Sequence, residues 1–600
     1  MCRIFGHFGT QVSALQLAAV GGRQLSGGPD AQTLVRGADW SLGCNRLAVT
    51  DPSGGAQPYR SGGDGGITVV FNGEIYNHRE LRRRLTARGH VFADDCDGSV
   101  LPALYAVYGP EFAEQLDGMY AIAVVDLRAE PTLLLAVDPI GMKPLYYHWD
   151  PARGALCFAS ELPALLAFPG VSSTPWEPGL DACLTTRTPL GEQTMFRDVR
   201  ALPPGALARL TRADGLRSTR RTGEPASDVG TFAEAAGTAR RLLAHEVARL
   251  SRADVPVCVI TSGGLDSGLV TALAAGHLPE LHSFNLSYRG SWPSDERAFA
   301  RETAEYCGAT YHQVEVDPAT FPDLLPAVVD HLGQPNADPI TLSSYALFRA
   351  VREAGFTVAL TGDGADELFG GYDRMAAAVR TPVGQPWIPA YLDALAVAPR
   401  QLREWLYTDD YRAFVASDPE GSTEQRLAAE LGKGDRMPAL TRFETGSRLP
   451  GYHLRRVDHL SMAWGVEARL PYCQPSVAGH ARSLPDRFKI SEGAVKRTLH
   501  GAAAGLLPSS VLARPKQPFT LPVTAMLASG QPLMDFACEV LSPQALRRGG
   551  RLEPRRVVEL LERQRTVPDH RTALVLWALL IHQLWEDRCR AAAGPARTAR

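Results

Sequence analysis

Val255-Pro256-Val257-Cys258-Val259-Ile260-Thr261-Ser262-Gly263-Gly264-Leu265-Asp266-Ser267 sets the architecture of the larger part of this chain. Residues 255–261 form an apolar, β-branched run too short for a helix, as expected of a buried strand. The run passes straight into a Ser-Gly-Gly loop, where a helical segment begins. A strand, a small-residue loop and a helix N-terminus bind phosphate in α/β folds, because the loop exposes backbone N–H groups and the helix end favours anions. No Gly-Lys-Ser/Thr follows, so this is not the lysine-containing P-loop. A cradle with one acid, Asp266, and no lysine suits pyrophosphate with Mg²⁺ better than transfer of a terminal phosphoryl group.

Further strand-like runs near 281–286, 311–316 and 357–361 continue the β/α units. The last opens into Thr361-Gly362-Asp363-Gly364-Ala365-Asp366-Glu367-Leu368-Phe369-Gly370-Gly371-Tyr372. Carboxylates crowded into a glycine-rich loop repel one another and become sensible around a divalent cation. A solvated acidic loop is the alternative. Before the opening strand, Phe232, Ala236, Ala239, Leu243, Val247 and Leu250 mark an amphipathic helix. The polar, turn-rich stretch Thr211–Gly230 has the composition of a linker or an exposed hairpin. Residues 375–450 read as helical with breaks.

The first part of the chain has a different texture. Residues 2–9 alternate as a half-buried strand would, and further strands are expected at Ile67–Phe71, Tyr120–Asp126, Leu133–Val137 and Leu156–Ala159. Helical patterns fall around 13–20, 78–88 and 98–108, so the mixture predicts an α+β sandwich. Removal of Met1 would expose Cys2 as the first residue, with a thiol and a free α-amine together. That amine has a pKa of about 8 and can act as the base for its own side chain. A chance buried cysteine is the bland alternative. In Phe71-Asn72-Gly73-Glu74-Ile75-Tyr76-Asn77, the Asn72 amide and the Gly73 N–H could receive an oxyanion. Glu74 and Asp97 could receive an ammonium, and Arg46 a carboxylate in bidentate fashion. The same heptapeptide is compatible with an Asn-Gly turn carrying solvated charges.

Composition narrows the class. Six hundred residues exceed one core, so two domains are expected. A hydrophobic share of 45% and a charged share of 21% are those of an ordinary globular protein. The net charge of -3 gives no basic footprint for nucleic acid or lipid. No apolar run is long enough for a bilayer, and the ten cysteines include no C-x-x-C, as expected of reduced thiols in a cytoplasm.

Cys2 and the heptapeptide resemble the class II glutamine amidotransferases, joined by Asn45–Val49, Cys96-Asp97, Gln115–Met119, Gly141–Tyr147 and Ala159–Leu162. The resemblance implies an N-terminal nucleophile hydrolase sandwich with Cys2 as nucleophile and Asn72 and Gly73 as oxyanion hole. Arg46, Leu47, Val49, Asn72, Gly73, Glu74 and Asp97 would bind glutamine. The family's Arg-Gly-Pro-Asp is Gly27-Gly28-Pro29-Asp30 here, and Ser99 and Val137 stand where an acid and an Arg are usual.

The two later loops resemble the asparagine synthetase and β-lactam synthetase branch of the ATP-pyrophosphatase fold, an α/β adenine nucleotide alpha hydrolase-like domain. Asp458–Pro471 and Arg514-Pro515-Lys516-Gln517 continue the match. The resemblance implies ATP at Thr261, Ser262, Gly263, Gly264, Leu265, Asp266, Ser267, Leu286, Thr361 and Gly362. It also implies Mg²⁺ at Asp266 and Asp366, acyl-adenylate formation at Asp363, and stabilisation of a charged intermediate by Lys496, in the helix preceding Leu506-Leu507-Pro508. Cys473-Gln474-Pro475 replaces a Leu-Asp-His element, Gln334 an acid, Trp464-Gly465 smaller polar residues and Pro518 a Gly.

Together these imply a glutaminase domain over 1–210, a linker over 211–230, an asparagine synthetase-like domain over 231–590 and a flexible tail over 591–600. The implied enzyme is a ligase that hydrolyses glutamine, activates a carboxylic acid with ATP and releases AMP and pyrophosphate. The acceptor is aspartate or a specialised biosynthetic acid, and the donor glutamine or a modified glutamine amide. No nucleic-acid or membrane partner is implied, and a homodimer is possible. Two alternatives stay open: intramolecular β-lactam-type closure with the glutaminase unused, and a non-catalytic glutamine or nucleotide sensor.

Overall fold

The computed structural model describes residues 1–61, 66–220, 229–293, 295–417, 422–514 and 521–593. Pro515, Lys516, Gln517 and Pro518, residues 221–228 of the expected linker and residues 594–600 of the expected tail lie outside them. No helix among the described residues is long and apolar enough to cross a membrane.

The first half contains two six-stranded antiparallel sheets. In one, strand Cys2–Phe8 lies between Trp40–Arg46 and Ala155–Ala159, with Cys2 opposite Arg46 and Ile4 opposite Cys44. In the other, Ile67–Ile75, Gly118–Asp126 and Thr132–Val137 are adjacent, with Asn72 opposite Ala121 and Gly73 opposite Tyr120. The sheets face each other through one apolar cluster that includes Ile4, Leu42 and Phe158 from the first and Val70, Ala123 and Leu135 from the second. Helices His78–Thr86 and Leu101–Tyr108 cover the far side of the second sheet through Leu81 and Leu104.

The far side of the first sheet is covered as well, and this corrects one expectation. Cys2–Phe8 is buried along its whole length rather than on alternate residues. Its alternation separates two different buried faces. Ile4 and Phe8 enter the space between the sheets, whereas Phe5 joins the large core that continues into the second half. A second correction concerns the boundary at residue 210, while the exposed-hairpin reading of the stretch after it holds as far as Arg220. Gly215–Arg220 pairs with Ala206–Thr211 at the edge of the second sheet, so the first unit reaches at least Arg220. The polar composition there belongs to the exposed residues of an edge strand.

The second half is built on a five-stranded parallel sheet in the order Thr310–Val316, His282–Tyr288, Val257–Ile260, Val358–Leu360, Glu467–Arg469. Val257–Ile260 comes first in the chain but sits in the middle. Later strands are added first on one side and then on the other. That reversal places the loops after Ile260 and Leu360 side by side at the strands' C-terminal ends, where such sheets open a ligand crevice. Residues 373–443 supply short helices, followed by a π-helical stretch over Glu444–Leu454.

Candidate active sites

Cys2 and the expected oxyanion residues, Asn72 and Gly73, meet where the two antiparallel sheets face each other. The Cys2 backbone nitrogen donates to Asn72 Oδ1 at 3.3 Å. Asn72 is fully buried, and its Nδ2 has no hydrogen-bond partner among the described residues. An orphaned buried donor costs roughly 1–3 kcal/mol, and such a donor is what a developing oxyanion requires. At Gly73 φ is +146°, and a Cβ would lie 1.9 Å from the Met119 carbonyl oxygen, so the strand passes here only as glycine.

The expected glutamine residues surround this point. Glu74 is buried, and its Oε2 accepts from Thr50 Oγ1 at 2.9 Å. Asp97 Oδ2 accepts from the Ile75 N–H at 2.7 Å. The Met1 amine donates to the Leu47 carbonyl at 2.8 Å, and lies 3.8 Å from Glu74 Oε1 and 3.7 Å from Glu467 Oε2. Burial, with the Glu467 and Asp97 carboxylates, pushes the Glu74 carboxyl up to about 8. Burial alone would raise the Cys2 thiol. The Cys44 thiol, the nearby amine, the Leu47 backbone and the Arg46 guanidinium together bring it below the usual range. Val49 is buried, whereas Arg46 Nη2 donates to the Asp51 carbonyl at 2.7 Å rather than standing free as a fork. Gln57, which no sequence pattern singles out, donates from Nε2 to Cys2 Sγ at 3.1 Å.

The second centre lies at the parallel sheet's crevice. Gly263 has φ +81°, and a Cβ would lie 2.7 Å from the Ala300 nitrogen. Gly264 caps helix Leu265–Ala274, and Ser262 and Ser267 share a hydroxyl contact of 2.9 Å. A Cβ at Gly362 would lie 2.8 Å from the Ser267 nitrogen, so the two glycine loops touch. Thr261 Oγ1 contacts Thr271 Oγ1 at 2.7 Å, and Thr361 Oγ1 donates to Asp363 Oδ2 at 2.7 Å. Leu286 is buried within the neighbouring strand.

Lys496 joins the two loops. Its Nζ lies 2.5 Å from Asp266 Oδ2 and 2.6 Å from Asp366 Oδ1. Burial would lower this ammonium, but the two carboxylates hold it well above the usual lysine range. Lys496 does not lie in a helix. It precedes helix Arg497–Ala503 with φ 50°, a left-handed conformation that helix-oriented reasoning does not anticipate. Gly371 permits the approach, since a Cβ there would lie 2.1 Å from Lys496 Cε.

No group of three or more His, Cys, Asp or Glu able to hold a metal occurs among the described residues. Asp266 and Asp366 nevertheless converge on one cationic position. Mg²⁺ is commonly held by one or two carboxylates, with substrate phosphate and water completing the shell, so this pair fits that ion.

Buried polar links run between the centres. Arg3 Nε donates to Glu161 Oε1 at 2.7 Å and Arg3 Nη1 to Asp458 Oδ2 at 2.6 Å. Lys143 Nζ reaches Asp458 Oδ1 at 3.0 Å. Asp458 shares helix Arg455–Met462 with Arg456, whose Nη1 is 2.6 Å from Asp338 Oδ2 and Nη2 3.5 Å from Asp363 Oδ1. The strand Glu467–Arg469 runs alongside: Glu467 stands near the Met1 amine, and the Arg469 carbonyl accepts from the Thr361 N–H at 3.0 Å.

Comparison with known proteins follows this division. Residues 1–220 match the glutamine amidotransferase domain family and residues 238–587 the asparagine synthase family. A Mycobacterium tuberculosis protein provisionally named a glutamine-hydrolysing asparagine synthetase is 31% identical over 595 residues, covering 91% of this chain and 88% of its own. Asparagine synthetase (glutamine-hydrolysing) 3 of Bacillus subtilis is 28% identical over 511 residues, covering 82% of each chain. The Arabidopsis thaliana asparagine synthetase (glutamine-hydrolysing) 3 is 28% identical over 514 residues, covering 81% of this chain and 73% of its own.

Proposed function

The chain belongs to the glutamine-hydrolysing asparagine synthetase family, and from that membership we propose how its two centres divide the reaction and which acid it amidates. It is a glutamine-dependent, AMP-forming ligase that makes an amide at the expense of ATP. In our reading the first unit is an N-terminal nucleophile hydrolase sandwich and the second an ATP-pyrophosphatase domain.

With Met1 removed, the Cys2 amine serves as base, and the thiolate attacks the side-chain carbonyl carbon of glutamine. Asn72 Nδ2 and the Gly73 N–H take the oxyanion, while Glu74 and Asp97 receive the substrate ammonium and Arg46 its carboxylate. Leu47 and Val49 line the pocket. Ammonia leaves with a proton relayed from the amine, and water then releases glutamate from the thioester.

At the other centre an oxygen of the acceptor carboxylate attacks the α-phosphorus of ATP, and the bond to pyrophosphate breaks. Ser262–Ser267 and Thr361-Gly362 cradle the nucleotide, with Thr261 and Leu286 beside it. Mg²⁺, which Asp266 and Asp366 would hold, supplies neutralisation of phosphate charge. Asp363 belongs to the adenylating step, and Lys496 offsets charge as ammonia adds to the acyl carbon and AMP departs.

The observation that carries this reading is the convergence of Lys496, Asp266 and Asp366 in a chain that also buries an orphaned Asn72 amide beside Cys2. Aspartate is the acceptor proposed. A specialised acid is the second reading, favoured because Cys473 Sγ lies against the Asp363 carbonyl at 3.7 Å, so the unusual Cys473-Gln474-Pro475 borders the adenylation loop. The test is AMP release with aspartate and a panel of other acids, first with glutamine and then with ammonia. Aspartate-dependent AMP supports the first reading, AMP with another acid alone selects the second, and ADP as product overturns both.

A further inference from the structure

Gln57 occupies a place that its backbone register explains. Tyr59 pairs with Val69 and Arg60 with Thr68, so the same register extended by two residues sets position 57 opposite Phe71. At that point a side chain replaces the ladder. Gln57 Oε1 accepts from the Phe71 N–H at 2.8 Å and Nε2 donates to the Phe71 carbonyl at 3.0 Å. A backbone N–H can only donate and a carbonyl can only accept, so these two bonds fix which end of the amide carries the hydrogens. The second Nε2 hydrogen then serves Cys2 Sγ, 3.1 Å away.

We propose that Gln57 is a further catalytic residue of the glutaminase centre: its Nε2–H donates to the Cys2 sulfur and stabilises the thiolate, while its bonds to Phe71 set the strand that enters Asn72-Gly73. This rests on the reading of Cys2 as the nucleophile. Gln57 is 5% exposed, so water does not compete freely for its amide. The sulfur is acceptor-only as a thiolate, and a hydrogen bond to the charged form favours that form. Other groups acting on the thiol are the Cys44 thiol, the chain's amine, the Leu47 backbone and the Arg46 guanidinium, and the Tyr59 hydroxyl feels its charge. Of these, Tyr59 also pairs with that strand, at Val69, but only Gln57 bonds both Cys2 Sγ and Phe71, the residue before Asn72.

The test compares the full-length enzyme with Gln57→Glu and Gln57→Met, following the rate of iodoacetamide alkylation at Cys2 against pH beside glutaminase kcat/KM. Gln57→Met loses the donor at every pH, and Gln57→Glu loses it wherever its carboxyl is ionised. The alkylation inflection is expected to move up by about one to two pH units, the range a hydrogen bond to a charged group supports, and glutaminase kcat/KM to fall at least about tenfold. Ammonia-dependent AMP formation stays within about twofold of the parent, which reports a folded second unit and an undisturbed interface. A lowered kcat/KM with an unmoved inflection would reduce Gln57 to a structural role and overturn the proposal, as would unchanged kcat/KM. If Cys2→Ala itself kept full glutaminase, the failure would lie with the nucleophile assignment instead.

Discussion

Arg3 and Asp458 form a buried ion pair between the two halves of the chain, with Nη1 2.6 Å from Oδ2. The pair stands one residue from the thiol and two residues from Arg456, which reaches toward Asp363. Arg3 also holds Glu161, and Lys143 holds the other oxygen of Asp458. Burial opposes the charge on Asp458, but Arg3 and Lys143 keep its carboxyl well below the usual range. Two acids share two bases in a layer without solvent, so each member depends on the others. Removing one partner of such a pair leaves an uncompensated buried charge, at about 3–5 kcal/mol. Arg3→Met should therefore destabilise the protein by about that amount, read from the shift of its urea unfolding midpoint. A loss below about 1 kcal/mol would mean that the layer rearranges or hydrates freely.

The proposed division of labour makes Cys2 dispensable for half the reaction. Cys2→Ala should abolish AMP formation driven by glutamine and leave the ammonia-driven reaction within about twofold, because a sulfur removed from a buried strand changes one centre only. Parallel assays with the two nitrogen sources decide it. Equal loss of both activities in folded protein would show that the thiol serves something other than ammonia release.

The parts legible in sequence are those with a repeating or local signature. The Ser-Gly-Gly loop and the Asp363–Asp366 loop stand where the pattern places them, at the ends of strands, whereas the strand expected to stop at Phe71 runs on to Ile75 and takes in Asn72 and Gly73. Arg3 fits one side of a half-buried strand, because a charged residue between apolar ones looks the same in sequence whether it meets water or a buried Asp458. Gln57 left no trace, since a side chain that substitutes for a sheet ladder has no periodicity. Glu467–Arg469 is a strand of three residues, too short for alternation to register. The left-handed turn at Lys496 was likewise invisible, because a motif fixes the residue type but not its φ.

The two glycine loops make a backbone prediction. Gly263→Ala forces a Cβ into a position with φ +81° and 2.7 Å from the Ala300 nitrogen, backbone that cannot swing aside as a side chain could. Strain of this kind costs about 1–3 kcal/mol and displaces the N–H groups proposed to bind phosphate. ATP-dependent AMP formation should fall by about tenfold or more, with glutaminase retained. Retained ATP turnover, measured across ATP concentrations, would place the phosphates elsewhere.

Two buried histidines set an acid limit on stability. Burial first, then the Arg551 and Arg590 guanidinium groups, brings His582 down to about 3, and burial with Arg3 does the same for His459. An unfolded histidine titrates at about 6.5, so below that pH the unfolded chain binds protons that the folded chain refuses. The contribution is whole above about pH 6.5 and is lost as pH falls toward 3, at up to about 1.4 kcal/mol per pH unit for each histidine. His582→Gln should flatten the loss of unfolding free energy between about pH 6.5 and 5. An unchanged slope would assign the acid limit to carboxylates such as Asp458 instead.

Lys496 gives the sharpest separation between charge and shape. Its ammonium sits between Asp266 and Asp366, all three drawn together by the close approach that Gly371 allows. Lys496→Met keeps most of the volume and removes the charge that lies between the two carboxylates. Amide formation should fall by about a hundredfold or more with glutamine and with ammonia alike, because the charge is needed after nitrogen has arrived. Glutaminase at Cys2 should be unaffected. Lys496→Arg restores the charge but brings a planar, longer head into a space shaped by a glycine, so it should recover little. If Lys496→Met lost activity with glutamine but kept it with ammonia, the lysine would act on the passage of nitrogen between the centres and not on the acyl intermediate.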